Sequence, residues 1–423
     1  MFDPATHKGK RGLPGTRETV ALLAGLMAMN AFAIDAMIPA LPAIGAELGV
    51  AEENRRQLVV IAYMFGFGST QLIWGPLADR FGRKPVLAAG IALYAVFALL
   101  CGIAGSFALL IASRVAMGAS AAVTRVLVVA MARDLFEGEE MARVMSLVFM
   151  VFMVVPVVAP SVGQLIMHVA PWRWIFLVLA AYGLTMLLWS WLRLPETLHS
   201  EYRRSLAWRS ILDAARLVVT DRLSLGYTLA LTAVFGSLTG YIASIQQIVF
   251  DAFDAPEAIG LVFAAVAAPM ALASWGNSRI VQRFGLRRVG HWGLIGFAGV
   301  STAHALVALA GGESLWLFVL LQGLTMVAFA FTTSNLNAVA MQNMAPIAGT
   351  ASSVQGVIAT IGGATIGLAI GQAFDGTPVP FLAAVAACGL VALALALVTE
   401  RGRLMRDPRQ PAVKPVELIP FTD

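Results

Sequence analysis

The sequence predicts an all-α integral membrane protein, with twelve transmembrane helices in two pseudo-symmetric six-helix bundles. Three observations carry that expectation. The 423 residues are 59% hydrophobic and only 13% charged, whereas a soluble protein carries about 25% charged residues. Twelve runs approach the roughly 20 apolar residues that a helix needs to cross a bilayer. A short motif recurs once in each half of the chain, at the same place between the second and third runs. A soluble fold this apolar would lack polar surface, and disorder is excluded on the same ground. Cys101 and Cys388 sit in apolar runs, so neither a disulfide framework nor a metal-ligand spacing is expected.

The runs fall at about 20–43, 57–76, 86–106, 108–132, 144–168, 174–193, 225–250, 258–280, 289–311, 314–337, 347–373 and 379–399. The first is too long for a signal peptide and follows a polar, basic stretch with Lys8, Lys10, Arg11 and Arg17, so it reads as a retained span. With a cytoplasmic N-terminus, the inside segments hold 24 of the 29 Lys and Arg residues. The outside loops hold Arg55, Arg56 and Arg173, and the fourth span holds Arg114 and Arg125. That bias sets the orientation, puts both termini in the cytoplasm, and accounts for a pI near 9.5 without a nucleic-acid partner.

The longest connection, about 194–224, divides the chain into an N-terminal bundle (1–193), a cytoplasmic linker (194–224) and a C-terminal bundle with its tail (225–423). Within the linker, 205–219 gathers Leu206, Ile211, Leu212, Ala215 and Val218 near one face, away from Arg209, Asp213 and Arg216. That pattern suits a helix on the membrane surface; a partly ordered linker is the alternative. Residues 79–86, DRFGRKPV, match 282–289, QRFGLRRV, at Arg80/Arg283, Phe81/Phe284, Gly82/Gly285 and Val86/Val289. The match points to a duplicated six-helix unit.

The segment from Gly75 to Pro85, containing Asp79, Arg80, Gly82 and Arg83, resembles the loop signature G-x-L-x-D-R-x-G-R-[RK] of the major facilitator superfamily. Glycine permits the tight turn, and Asp79 can pair with an arginine or accept from a helix N-terminus. The resemblance implies the major facilitator fold and a charged latch holding the halves together when the transporter opens outward. The stretch Phe32–Pro42 is similar to the first span of the bicyclomycin-resistance (Bcr/CflA) drug:proton antiporters. So are Arg133-Asp134-Leu135-Phe136, Arg143–Ser146, Pro195–Leu198 and Ala348–Ser353. In the fifth span, Pro156, Pro160 and Gly163 resemble the antiporter signature G-x-x-x-G-P-x-x-G-G, with Ala159 and Gln164 replacing two of its glycines. The prolines favour a kink and Gly163 a close helix contact; a merely bent helix is the alternative.

Asp35, Arg114 and Arg125 are the only ionisable acidic or basic residues deep in the runs. Charges there usually face a wet cavity or one another. Desolvation would let the lone carboxyl, Asp35, take and release protons near neutral pH, and the family resemblance implies a proton-binding acid at this point. A permanently ionised Asp35 paired to an arginine is the alternative. A cationic drug could compete for the same carboxylate. Arg114 with Gly118 matches the R-x-x-x-G arginine to which the family assigns proton coupling, by repelling the proton of Asp35 or pairing with it. Arg125 lies 11 residues on, about 20° round and about 16 Å along the same helix. It could bind an anionic substrate group or snorkel to the mouth.

The remaining cavity candidates are Asn30, Met37, Tyr63, Gln71, Phe235, Tyr241, Gln246, Phe329, Asn335 and Gln355, with Met29 and Asn337 beside them. His304 reads as structural. Without a nucleotide loop, a nucleophile–base pair or a grouped set of oxygen ligands, the expectation is no cofactor, no metal and no enzymatic activity. It is a proton-coupled exporter of small amphipathic compounds or antibiotics by alternating access. The alternative is a transporter of a narrow class such as sugars, organic acids or amino-acid derivatives. The expected partners are substrate, protons and lipid, with the protein a monomer in a bacterial inner membrane.

Overall fold

The computed structural model describes residues 15–136, 138–198, 208–344 and 347–405. Lys8, Lys10, Arg11, Arg203, Arg204, Arg406, Arg409 and Lys414, counted above toward orientation, lie outside them. The described chain is helical and contains no strand. In order, the helices are α1 (Thr16–Asp35), α2 (Leu41–Glu47), α3 (Leu58–Phe81), α4 (Arg83–Gly102), α5 (Phe107–Leu135), α6 (Gly138–Val169) and α7 (Arg173–Arg193). There follow α8 (Trp208–Thr220), α9 (Arg222–Gln247), α10 (Ile259–Phe284), α11 (Leu286–Leu309), α12 (Leu315–Ala340), α13 (Ala348–Gln372) and α14 (Val379–Thr399). Eleven segments are long and apolar enough to cross a membrane. Helix α6, 32 residues long, takes the remaining position, with Val154–Val169 as its described apolar stretch.

The helices outrun the apolar runs that announce them, because helical hydrogen bonding continues beyond the hydrocarbon while the side chains turn polar. The first run departs in another way. It is one membrane-crossing segment, Thr16–Glu47, but α1 stops at Asp35 and resumes as a 3-10 turn, Ile38–Ala40, and then α2. Pro39 and Pro42 cause the break, since each removes a backbone donor and constrains the residue before it. A helix end inside the span is therefore written around Asp35.

Helices α1 to α7 share one hydrophobic core and α9 to α14 another. In the first, α5 packs against α3 and α4, α4 against α7, and α1 against α6. In the second, α9 packs against α13 and α14, and α12 against α10 and α11. The halves meet through α3 with α13 and α6 with α10. Close approach needs glycine: a Cβ on Gly118 would strike the Tyr63 carbonyl, and one on Gly66 the Val115 carbonyl, so α3 and α5 touch backbone to backbone.

The repeated motif has one geometry in both halves. Gly82 alone separates α3 from α4 at φ +99°, ψ 151°, and Gly285 alone separates α10 from α11 at φ +81°, ψ 154°. Side-chain-bearing residues avoid these dihedrals, which accounts for the shared glycine. The end of the molecule carrying these two hinges is called the basic face below.

The linker helix begins at Trp208, and Leu206 lies outside the described residues. Val218 is buried beside Met344, Ala351 and Val354 of the second half, with Ala215 partly buried against them; Ala214 is also buried, whereas Leu212 is exposed. Val218 and Ala215 of the expected face thus pack inward and Leu212 does not: α8 docks on α13 and α9 rather than on an open apolar surface.

Candidate functional site

Asp35 is the last residue of α1, 3% exposed, and its Oδ1 has no hydrogen-bond partner. Among the described residues no cation pairs with it. Two elements fix its surroundings. Gly163, after the two prolines of α6, lies against the backbone of Ala36, where a Cβ would collide with the carbonyl. Tyr241 of α9 lies near enough to feel the Asp35 charge. The Tyr241 hydroxyl and the Gln246 amide nitrogen are themselves buried without partners. Two unsatisfied polar groups, Asp35 from the first half and Tyr241 from the second, thus face one buried region, an arrangement that costs stability unless function uses it.

Arg114 is fully buried. Its Nε donates to the Val59 carbonyl at 2.8 Å and its Nη1 to the Ala33 carbonyl at 3.0 Å. The guanidinium lies over the Tyr63 ring, 4.6 Å from its centroid. So Arg114 ties α5 to α3 and to α1 two residues before Asp35. It does not meet the Asp35 carboxylate in this state, contrary to the pairing that the sequence left open.

At mid-membrane a polar belt joins these helices. Asn30 Nδ2 donates to Thr124 Oγ1 at 2.8 Å, and the Tyr63 hydroxyl donates to Asn30 Oδ1 at 3.0 Å. Gln71 Nε2 crosses between the halves to Thr360 Oγ1 at 3.1 Å. Beside Thr124 stands Arg125, which is exposed, while Arg114 on the same helical face is fully buried. On α12, Asn337 is likewise exposed while Met326 and Ala330, three and two turns earlier on that face, are buried. Arg125 is exposed as a residue while its guanidinium is densely ringed by protein, which describes a side chain in a chamber rather than on an outer surface. The chamber therefore opens toward the basic face.

Other candidates sit differently. Met29, Met37, Gln246 and Phe329 are buried. Gln355 is committed to Ser224 and the Ala340 carbonyl, and Asn335 to Asn277 and the Phe331 carbonyl. These two brace the second half rather than line the chamber. Phe235 is half-buried. A cavity of about 560 Å³ between residues 48–58 and the start of α5 lies outside this region and is mostly apolar.

The opposite face is sealed by amides that sequence reasoning missed. Asn54 Nδ2 donates to the carbonyls of Gln372 at 3.1 Å and Phe374 at 2.9 Å, and Gln372 Nε2 returns a bond to the Asn54 carbonyl at 2.7 Å. Gln247 Nε2 donates to Asn54 Oδ1 at 2.8 Å, and Gln57 Nε2 to Gln247 Oε1. Nearby, Gln164 Nε2 donates to the Glu257 carbonyl at 3.3 Å. These residues fall at span ends, where polar side chains look like ordinary loop. No period or motif marks them.

The loop motif forms a cluster within the first half. Arg83 pairs with Asp134 at 2.8 Å and lies 3.6 Å from Asp79. Glu196 accepts from the backbone N–H groups of Arg83 at 2.9 Å and Lys84 at 3.2 Å, capping α4; a Cβ on Gly82 would lie 2.6 Å from its Oε2. Arg80 is exposed and stacks near Phe81, and Gly75 meets only Val126. The second half has a counterpart built on Glu400, which accepts from Arg287 and, at 2.7 Å, from the Tyr227 hydroxyl. His304 is buried and bonded to Glu313 at 3.0 Å. Among the described residues no group of three or more His, Cys, Asp or Glu is placed to hold a metal.

Comparison with known proteins agrees with this architecture. The family model described as the Major Facilitator Superfamily matches residues 23–364. A "Bicyclomycin resistance protein homolog" from Haemophilus influenzae is 30% identical over 393 residues, covering 90% of this chain and 96% of that protein. "Multidrug resistance protein MdtL" of Escherichia coli O45:K1 is 35% identical over 164 residues, 39% of this chain and 42% of that one. Among solved structures, a D-xylose–proton symporter superposes with a TM-score of 0.68 at 15% identity, covering 90% of this chain and 96% of the symporter. At that identity the likeness is one of fold.

Proposed function

The chain belongs to the major facilitator superfamily, as a multi-pass membrane transporter and not an enzyme, and on that premise we propose that it exports small amphipathic compounds, antibiotics among them, in exchange for protons. The observation that carries the reading is Asp35: a carboxyl buried between the two halves, unpaired, at a helix end, and pressed by the proline-bent α6. A charge left alone in that position costs several kcal/mol, whereas a protonated carboxyl does not. The group therefore suits a cycle in which it is neutral when the outer end is sealed and ionises only when water reaches it. The relatives whose names record bicyclomycin and multidrug resistance support drugs as the cargo.

In this reading the two bundles, split near 194–224, rock about the region of Asp35. The amides at Asn54, Gln57, Gln247 and Gln372 are the outer gate. The cluster of Asp79, Arg83, Asp134 and Glu196 stiffens the basic face of the first bundle, and Gly82 lets α3 and α4 turn there. The Lys and Arg bias supports a cytoplasmic basic face, and the bacterial relatives support an inner membrane. The amides and hydroxyls of the mid-membrane belt favour, as the second reading, a polar metabolite as cargo.

Everted membrane vesicles decide between them. Dissipation of a respiration-driven pH gradient is followed while antibiotics, lipophilic dyes, sugars and amino acids are added, with Asp35→Asn beside wild type. The expected result is dissipation by antibiotics or dyes with wild type and none with Asp35→Asn. Equal dissipation by the two proteins would overturn the role of Asp35. Response to sugars or amino acids alone would move the cargo to the second reading.

A further inference from the structure

From the chamber's charge we infer that its cargo carries an anionic group, a carboxylate or comparable oxyanion on an amphipathic body, and that Arg125 is the residue that binds it. The inference rests on the transporter reading above and specifies the substrate class of the same chamber. Three deep charges were legible in the sequence, and the structure separates them by access. Asp35 is sealed from solvent behind the closed outer end. Arg114 is fully buried, with Nε and Nη1 on backbone carbonyls and its face against Tyr63. Arg125 alone of the three is exposed, and among the described residues no carboxylate lies within ion-pair reach of it. Toward the open side the chamber thus offers one free guanidinium about two-thirds of the way along α5 and, among the described residues, no deep counter-charge.

Such a cation is costly at this depth and keeps its charge at any working pH. Its planar fork matches an oxyanion in two parallel bonds. A cationic drug entering the same chamber would meet repulsion at this point, and Asp35, the only acid that could offset it, is out of reach. The surroundings fit the rest of such a molecule. Behind Arg125, the buried Asn30–Thr124–Tyr63 hydrogen-bond chain and the Tyr63–Phe67 stack fix α1, α3 and α5 against one another, so the guanidinium projects from a rigid wall. Gln71, joined to Thr360 across the halves, ties α3 to the facing helix α13. An aromatic or alkyl carboxylate, free or as part of a zwitterion, sets its oxyanion on the cation and its body on the apolar helices around it.

The test measures binding rather than transport. The full chain in lipid nanodiscs is dialysed against 1-naphthoate, anthracene-9-carboxylate and rhodamine B, each beside its ethyl ester, which keeps the ring system and removes the anion. Wild type is expected to bind at least one acid ten times or more tightly than its ester. Arg125→Gln should abolish that preference with the affinity for the ester kept, and Arg125→Lys should restore part of it. Retained ester binding also reports that the variant is folded. The inference is overturned if wild type prefers no acid to its ester, or if Arg125→Gln keeps the preference. Failure of proton coupling is read elsewhere, in Asp35→Asn vesicles, so loss of either reading leaves the other standing.

Discussion

Arg114 and Asp35 show how little a charge in a span reveals until its neighbours are known. Sequence alone allowed a salt bridge between them. Instead Arg114 spends two donors on carbonyls of α1 and α3, because those carbonyls lie beside the gap that Gly118 opens between α3 and α5. Arg114→Lys keeps the charge but cannot span both carbonyls, and should lower stability by on the order of 2 kcal/mol, read as a lower melting temperature in detergent. An unchanged melting temperature would mean the ties carry no weight. Glu313, in the loop after α11, gives a pH signature. Burial pushes its carboxyl up from 4.5 to about 7, so the folded state holds a proton that the unfolded chain releases. Stability is then full below about pH 4.5 and falls as pH rises toward 7. Wild-type melting temperature should decline over that window, and Glu313→Gln should be flat across it; parallel profiles would refute the assignment. The three deep charges and the structural reading of His304 were legible in the residues themselves. Which charges meet which partners was not, since that depends on helix rotation set by distant glycines.

At the scale of elements, glycines divide into those that hold helices together and those that do not. A Cβ at Gly163 would collide with the Ala36 backbone, one residue from Asp35, whereas a Cβ at Gly75 would meet only Val126 at 3.8 Å. Gly163→Ala should therefore abolish proton-coupled transport while leaving the protein in the membrane, and Gly75→Ala should transport as wild type. The reverse order in a vesicle assay would separate the α6 bend from the function of Asp35. The α3–α4 hinge depends on Glu196, whose carboxylate caps α4. Glu196→Ala leaves two N–H groups without their acceptor and should lower stability by about 1 kcal/mol. Helices were legible here because a bilayer demands long apolar runs, and the hinge glycine was legible because the motif recurs. The break after Asp35 was encoded in Pro39 and Pro42 yet hidden by the continuous apolarity of the run. On α8 the inward Val218 and Ala215 were legible and the exposed Leu212 was not, because periodicity tells which side is apolar, not which neighbour it meets.

For the whole molecule, the two cores touch through α3 with α13 and α6 with α10, and neutral amides close one end. A seal of hydrogen bonds without charges can open at modest cost, since water replaces each bond, and its opening need not depend on salt. This leaves Asp35 as the group whose protonation decides which end is wet. Two nitroxide pairs, on a background without Cys101 and Cys388, would measure that directly by pulsed electron-spin distances in nanodiscs. One pair, Glu52 and Asp375, spans the sealed end; the other, Arg143 and Gln282, spans the basic face, and all four residues are exposed. Between pH 6 and 8.5 the wild-type distances should shift in opposite senses at the two ends, and Asp35→Asn should hold both pairs at their low-pH distributions. Distances in wild type that ignore pH, or an Asp35→Asn protein that shifts as wild type does, would contradict proton-driven alternating access through Asp35.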